Sequence, residues 1–151
     1  TISQPYTVAF MFELLGPKKG EKIMDVGYGS GWTTTLLAHI VGGAGKVYAF
    51  ERVEELCNFG ENNVEKYQEL RSRVLFFCKD ASKGILEGGL DGIIAAAQVE
   101  EVPQAWREGL KMGGRLVYPK EGAIFKETKV GAKEFDVERY PGFAFVPFVK
   151  D

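Results

Sequence analysis

The stretch Ile23-Met24-Asp25-Val26-Gly27-Tyr28-Gly29-Ser30-Gly31-Trp32 decides how this chain is read. An apolar run enters a glycine loop, and the loop opens a helix. Gly27, Gly29 and Gly31 stand at every second position. They leave the backbone free of Cβ atoms, so the main chain can turn tightly and lie against a ligand. The spacing Gly-x-Gly-x-Gly differs from the Gly-x-Gly-x-x-Gly of dinucleotide binders. The next strand, Lys46 to Phe50, ends at Glu51, about 20 residues past the loop, where an acid can accept hydrogen bonds from ribose hydroxyls. Asp25, at the end of the first strand, adds a second carboxylate. Such a site suits a positively charged nucleoside better than a pyrophosphate. S-adenosylmethionine (SAM), with its ammonium and sulfonium groups, fits. A structural turn between strand and helix, or an NAD site, is also compatible with this stretch.

The loop sits in a chain of 151 residues, the length of one domain. Hydrophobic residues make up 45% and charged residues 26%, ordinary values for a globular protein with a real core. The net charge is −2, and the densest basic cluster is Lys18, Lys19 and Lys22. That footprint is small for nucleic-acid binding. The sequence has no long apolar run and no leader pattern. The two cysteines, Cys57 and Cys78, fall in a predicted helix and a predicted strand without metal-ligand spacing, and His39 is the only histidine. The expectation is a reduced, cytoplasmic protein without a metal.

Outward from the glycine loop, the apolar pattern alternates between strands and helices. Before it, Val8, Met11, Phe12 and Leu15 predict a helix that ends at Gly16-Pro17. Lys22 to Val26 is the first strand. Thr33 to Val41 is a helix broken by Gly42 and Gly43, and Glu54 to Tyr67 is another. Val74 to Cys78 and Leu90 to Ala97 are apolar strands, Pro103 to Leu110 a short helix, and Arg115 to Tyr118 a fifth strand. Continuous apolar strands alternating with helices indicate a parallel sheet covered on both faces. In the tail, Ala123 to Val130 and Phe143 to Val149 read as two strands with no helix between them. They predict an antiparallel pair at one sheet edge.

The layout resembles SAM-dependent, Rossmann-like methyltransferases, and more closely the protein-L-isoaspartate O-methyltransferase family. Four stretches carry that resemblance. They are Thr1-Ile-Ser-Gln-Pro-Tyr6, Asp25-Val-Gly-Tyr-Gly-Ser-Gly-Trp32, Asp91-Gly-Ile-Ile-Ala-Ala-Ala97 with Val102-Pro103, and Gly113-Gly-Arg-Leu-Val-Tyr-Pro119 with Phe145-Val-Pro-Phe-Val149. The opening Thr-Ile-Ser-Gln-Pro and closing Phe-Val-Pro are the more specific.

The resemblance implies a mostly parallel seven-stranded sheet flanked by helices, with an antiparallel C-terminal strand pair. It implies that Asp25, Gly27, Tyr28, Gly29, Gly31, Glu51, Arg52, Asp80 and Ala81 hold the cofactor. Thr1, Ile2, Ser3, Gln4 and Ala97 would hold the substrate, with Ser3 catalytic beside the transferred methyl. Three features depart from the family pattern. Lys79-Asp80-Ala81 stands where the family has Gly-Asp-Gly, so Lys79 and Ala81 would tighten the adenine rim. Gln98-Val99-Glu100-Glu101 lacks the family's proline. The residues that usually precede Thr-Ile-Ser are absent from this sequence, so the expectation is one domain over residues 1–151 without the family's N-terminal segment.

The implied reaction is methyl transfer from SAM, yielding S-adenosylhomocysteine, to the α-carboxylate of L-isoaspartyl residues in damaged proteins or peptides. An α-carboxyl has a pKa of about 3.5 and is already ionised at neutral pH, so no general base is required. The expected enzyme is a monomer that needs neither nucleic acid nor membrane. Two competing readings use the same fold: a methyltransferase acting on RNA or a small molecule, and a non-catalytic SAM-binding domain.

Overall fold

A computed structural model describes residues 4–148. Five helices and seven strands follow one another as α1 (Pro5–Leu15), β1 (Lys22–Val26), α2 (Trp32–Val41), β2 (Lys46–Glu51), α3 (Glu54–Glu65), α4 (Gln68–Arg71), β3 (Val74–Cys78), β4 (Leu90–Ala95), α5 (Gln104–Gly109), β5 (Leu110–Lys120), β6 (Ala123–Gly131) and β7 (Glu134–Pro141). The strands form one sheet in the order β3-β2-β1-β4-β5-β6-β7. Strands β1 to β5 are parallel, and β6 and β7 are antiparallel to their neighbours. The strand order reverses at β1, which pairs with β2 on one side and β4 on the other. In open α/β sheets such a reversal opens a crevice beyond the carboxyl ends of the strands. The glycine loop leaves β1 at that point.

The central parallel strands β1, β2 and β4 bury both of their faces, which is why they read as apolar runs, whereas the edge strand β3 is only partly covered. Ile23, Val47, Ala49, Ile94 and Val117 belong to one buried cluster, shared with Leu15, Leu37 and Val41 of the helices. Their sequence neighbours Met24, Tyr48, Phe50, Ile93, Ala95, Leu116 and Tyr118 belong to the other, capped by Trp106. The period-two alternation of a strand thus sends alternate side chains into two separate cores. Arg115 ties α1 to the sheet. Its guanidinium donates to the carbonyls of Leu15 (2.7 Å) and Gly16 (2.9 Å) and to both carboxylate oxygens of Glu21 (2.9 Å each).

The observed sheet departs from the expected elements in four places. The last strand among the described residues is Glu134–Pro141, and Phe143 to Phe148 does not form the strand expected over Phe143 to Val149, of which Val149 lies outside the described residues. In β7, Phe135 and Val137 alternate with Glu134, Asp136 and Glu138, but the strand is short of apolar residues and mostly exposed, Val137 at 57%, as suits a charged edge strand. The hairpin occupies the open edge of β6, and Phe143 to Phe148 instead runs back over the cleft. Its half-buried aromatics, Phe143, Phe145 and Phe148, pack on the two cores, so the alternation in the sequence was real without a strand partner. Strand β5 begins at Leu110 rather than Arg115, through a register shift opposite Leu90 to Gly92. A short helix, α4, follows α3. Finally, Cys57 and Cys78 form a disulfide, which corrects the expectation of two reduced thiols. Residue pairing explains why they meet. Cys78 lies opposite Glu51 in the β2–β3 ladder, and the first turn of α3 folds back over the same place.

Candidate active site

The glycine loop is held by its neighbours rather than by its own side chains. Gly27 and Tyr28 donate their amides to the Phe50 carbonyl of β2, at 2.7 and 3.2 Å. Below the loop lies α3. A Cβ on Gly60 would stand 2.4 Å from the Gly29 carbonyl, and one on Gly31, where φ is +84°, would stand 2.7 Å from the Gly60 carbonyl. Glycine is therefore required on both sides of this contact. Asn63 completes it by donating from Nδ2 to the Ser30 carbonyl at 2.9 Å.

Glu51 joins the loop to the next helix. Its Oε2 accepts from the Gly29 amide at 3.0 Å, and its Oε1 accepts from the amides of Arg52 (2.9 Å) and Val53 (3.2 Å). Three backbone donors satisfy a carboxylate that is only 8% exposed; Oε1 is filled by two of them, and Oε2 keeps one further lone pair for a hydroxyl in the cleft. Asp25 is more deeply placed, at 1% exposure. The Thr34 hydroxyl donates to its Oδ2 at 2.7 Å. Burial pushes its carboxyl up to about 7; the Thr34 hydrogen bond works against that shift and the nearby Glu51 charge adds to it. Burial, with Glu61 and Glu51 beside it, likewise raises the Tyr28 phenol, which donates to the Cys57 carbonyl at 3.2 Å.

Together these elements wall a cleft of about 1110 Å³. Of the residues expected to hold the cofactor, Gly27, Tyr28, Gly29, Glu51, Arg52 and Ala81 line it. Gly31, Asp25 and Asp80 do not. Gly31 is the point where α2 begins, and Asp25 lies beneath the loop, beside Val8, Met11 and Thr33. Asp80 is turned to its own loop, where it accepts from the Ser82 amide (3.0 Å) and hydroxyl (2.7 Å). On the substrate side, Gln4 and Ala97 line the cleft. Thr1, Ile2 and Ser3 lie outside the described residues.

Phe50 and Leu56 line the cleft and were not singled out as site residues from the sequence; Phe77 is not among the lining residues but touches two of them. Phe50 and Phe77 stack with centroids 4.7 Å apart, and the Lys79 ammonium sits 5.3 Å from the Phe77 ring centre. The Ala81 carbonyl accepts from the buried indole Nε1 of Trp106 at 2.8 Å, which fixes the loop after β3. The mouth is crossed by Phe143 to Phe148. Gln98 donates its amide to the Val146 carbonyl at 2.6 Å and accepts from the Phe148 amide. An aromatic run with one proline was the sequence signal for this segment, and it resembles a strand too closely to be read otherwise.

Comparison with known proteins agrees with this architecture. The family profile of protein-L-isoaspartate(D-aspartate) O-methyltransferase (PCMT) matches residues 1–151. The protein-L-isoaspartate O-methyltransferase of Christiangramia forsetii is 43% identical over 155 aligned positions, which take in 100% of this chain and 70% of that protein. That of Methanopyrus kandleri is 38% identical, over 99% of this chain and 68% of the relative. A solved protein-L-isoaspartate O-methyltransferase superposes with a TM-score of 0.90 at 27% identity; the match covers 98% of this chain and 48% of that one. A β-aspartate methyltransferase from Plasmodium falciparum, solved in complex with S-adenosyl-L-homocysteine, gives a TM-score of 0.89 at 26% identity, over 100% of this chain and 77% of that one. The chain belongs to the protein-L-isoaspartate O-methyltransferase family.

Proposed function

We infer that the cleft beyond β1, β2 and β4 is where this chain carries out the reaction of its family, SAM-dependent methylation of L-isoaspartyl residues in damaged proteins. The observation that carries the reading is the junction of Gly29 with Glu51, where one carboxylate fixes the glycine loop and keeps a lone pair on Oε2 for the cleft. The lining fits SAM. Glu51 offers an acceptor to a ribose hydroxyl, Phe50 presents apolar surface, and the buried acid Asp25 behind the loop favours a cation nearby. When bound, SAM supplies a methyl group on a positively charged sulfur.

The protein's part is positioning. The acceptor carboxylate is ionised at neutral pH, so no side chain has to remove a proton. Holding two reactants in line and excluding water can lower a barrier by several kcal/mol. Gln4 and Ala97 stand on the acceptor side, and Phe143 to Phe148 narrows the mouth. The Ser3 hydroxyl, one residue before Gln4, is proposed to orient the carboxylate, with Thr1 and Ile2 beside it. Gly31 and Asp80 are proposed to act from behind the cleft, through the loops they hold. No described helix is long and apolar enough to cross a membrane. A cytoplasmic monomer acting on isoaspartyl peptides without nucleic acid is the simplest form of the proposal.

The test is transfer of labelled methyl from SAM to two peptides that differ only in L-isoaspartate against L-aspartate. Label is expected on the first alone. Equal labelling of both peptides, or of neither, would overturn the assignment.

A further inference from the structure

The Cys57–Cys78 bridge joins two segments that both reach the cleft. Cys57 lies in the first turn of α3, after Arg52 and Val53 and beside Leu56, all of which line the cleft. Cys78 ends β3 and leads into Lys79 and Ala81 on the opposite rim. Between them stands Glu51, paired with Cys78 in the sheet. The turn that carries Cys57 also supports the glycine loop, through the Tyr28 hydroxyl on the Cys57 carbonyl and through Gly60 and Asn63 farther along α3. Burial of the two sulfur-bearing residues is unequal. Cys57 is 3% exposed, whereas Cys78, on the edge strand, is open to solvent.

We propose that this disulfide is a thiol-exchange site and that its oxidation state sets the grip of the cleft on its nucleoside ligand; this rests on the cofactor reading above. A thiolate of a low-molecular-weight thiol attacks the sulfur of Cys78, the more exposed residue of the pair. The S–S bond to Cys57 breaks, and Cys57 leaves as a thiolate. A second thiol attacks the mixed disulfide on Cys78, releasing the oxidised thiol pair and a Cys78 thiolate. Both protein thiolates take up protons. Two electrons pass from two small thiols to the protein, and an oxidant of the disulfide class reverses the step. With the bridge open, the first turn of α3 is no longer pinned to β3. Glu51, whose carboxylate accepts from the Arg52 and Val53 amides leading into that turn, loses part of its support. In a thiol-rich compartment the open position of Cys78 on the edge strand makes the closed form conditional, so ligand affinity follows the thiol balance.

The experiment is calorimetric titration of the protein with S-adenosylhomocysteine in the oxidised state, after reduction, and after reoxidation with glutathione disulfide. Cys78→Ser is measured beside them, its fold checked by circular dichroism. Reduction is expected to weaken binding at least fivefold and reoxidation to restore it. Cys78→Ser should bind like the reduced protein and ignore the redox state. In Cys57→Ser, mass spectrometry should find one glutathione adduct, on Cys78. Equal affinity of the oxidised and reduced proteins overturns the clamp while leaving the cofactor reading in place. No binding in either state overturns the cofactor reading and the clamp with it. If Cys78→Ser fails to fold, the comparison within the wild-type protein decides.

Discussion

Two carboxylates in this molecule are equally buried and opposite in every other respect. Glu127, on β6 in the antiparallel arm, is 1% exposed and surrounded by donors. Arg107 reaches both of its oxygens at 2.8 Å, and the Tyr118 hydroxyl donates to one of them. Lys129 packs close by, donating to the carbonyls of Arg107 and Leu110. Burial alone would raise the Glu127 carboxyl, but the hydrogen bonds from Arg107 and Tyr118 outweigh it and hold the group below its ordinary range. Asp25, also 1% exposed, has a hydroxyl where Glu127 has a guanidinium, and another acid, Glu51, nearby. No ion pair involves Asp25 among the described residues. The antiparallel arm completes its own electrostatics. The parallel half leaves a carboxyl without a cation behind the cleft, its charged form disfavoured, and a cationic ligand would favour that charged form. One region is organised for stability and the other for binding.

The largest effect should come from breaking the completed pair. Arg107→Ala leaves Glu127 buried without its cation, and such a loss typically costs about 3–5 kcal/mol. Urea denaturation at pH 7 measures it. Replacing both partners by apolar residues of similar volume should recover most of the loss, because the penalty belongs to the orphaned charge. The pH dependence has a definite sign. Glu127 is depressed in the fold, so its contribution is present above its unfolded pKa and lost as acid protonates it. A loss below about 1 kcal/mol in Arg107→Ala would mean that water or another cation replaces the guanidinium.

The next effect runs the other way. The Asp25 carboxyl is raised from 3.8 to about 7. Between those pH values the folded protein keeps a proton that the unfolded chain releases, so stability falls as pH rises and the penalty is complete above pH 7. Three pH units correspond to about 4 kcal/mol at most. Asp25→Asn removes the titration. It should match the wild type near pH 4 and be more stable by about 2–4 kcal/mol at pH 8, while binding S-adenosylhomocysteine more weakly. Equal denaturation midpoints at pH 8 would show that Asp25 is better solvated than its burial implies.

The comparison also shows what the sequence could and could not reveal. Glycine spacing and the acid about 20 residues later locate one end of the cleft, because both follow from local rules of strand, turn and helix. The two apolar cores are legible in the same way. The pairing of Arg107 with Glu127 is not, since it joins positions 20 apart across a helix and a hairpin. Neither is the Cys57–Cys78 bridge, which depends on β2 lying beside β3. The path of Phe143 to Phe148 was hidden because a half-buried extended segment and a strand share one alternation. Lys79 was expected to crowd the adenine rim. Its ammonium lies against Phe77 and its side chain is exposed, so crowding there rests mainly on Ala81, which is buried.

The smallest effect links Glu51 in the cleft to Asp25 beneath the loop. Glu51→Ala removes an acceptor for ribose hydroxyls and also frees the amides of Gly29, Arg52 and Val53. Binding of S-adenosylhomocysteine should weaken by about 1–3 kcal/mol, the usual range for hydrogen bonds to a charged group. Glutamine should rescue poorly. Its amide nitrogen would face a backbone N–H on whichever side it took, setting donor against donor. The same substitution should lower the Asp25 titration, because the Glu51 charge is one of the causes that raise it. Burial is the larger cause and stays, so the carboxyl should remain above its ordinary range and move only part of the way back. Carboxyl-detected NMR of Asp25 across pH 5 to 8 reads that movement directly. If the Asp25 titration is unmoved while binding falls, the two acids act separately and the negative character of the cleft belongs to Asp25 alone.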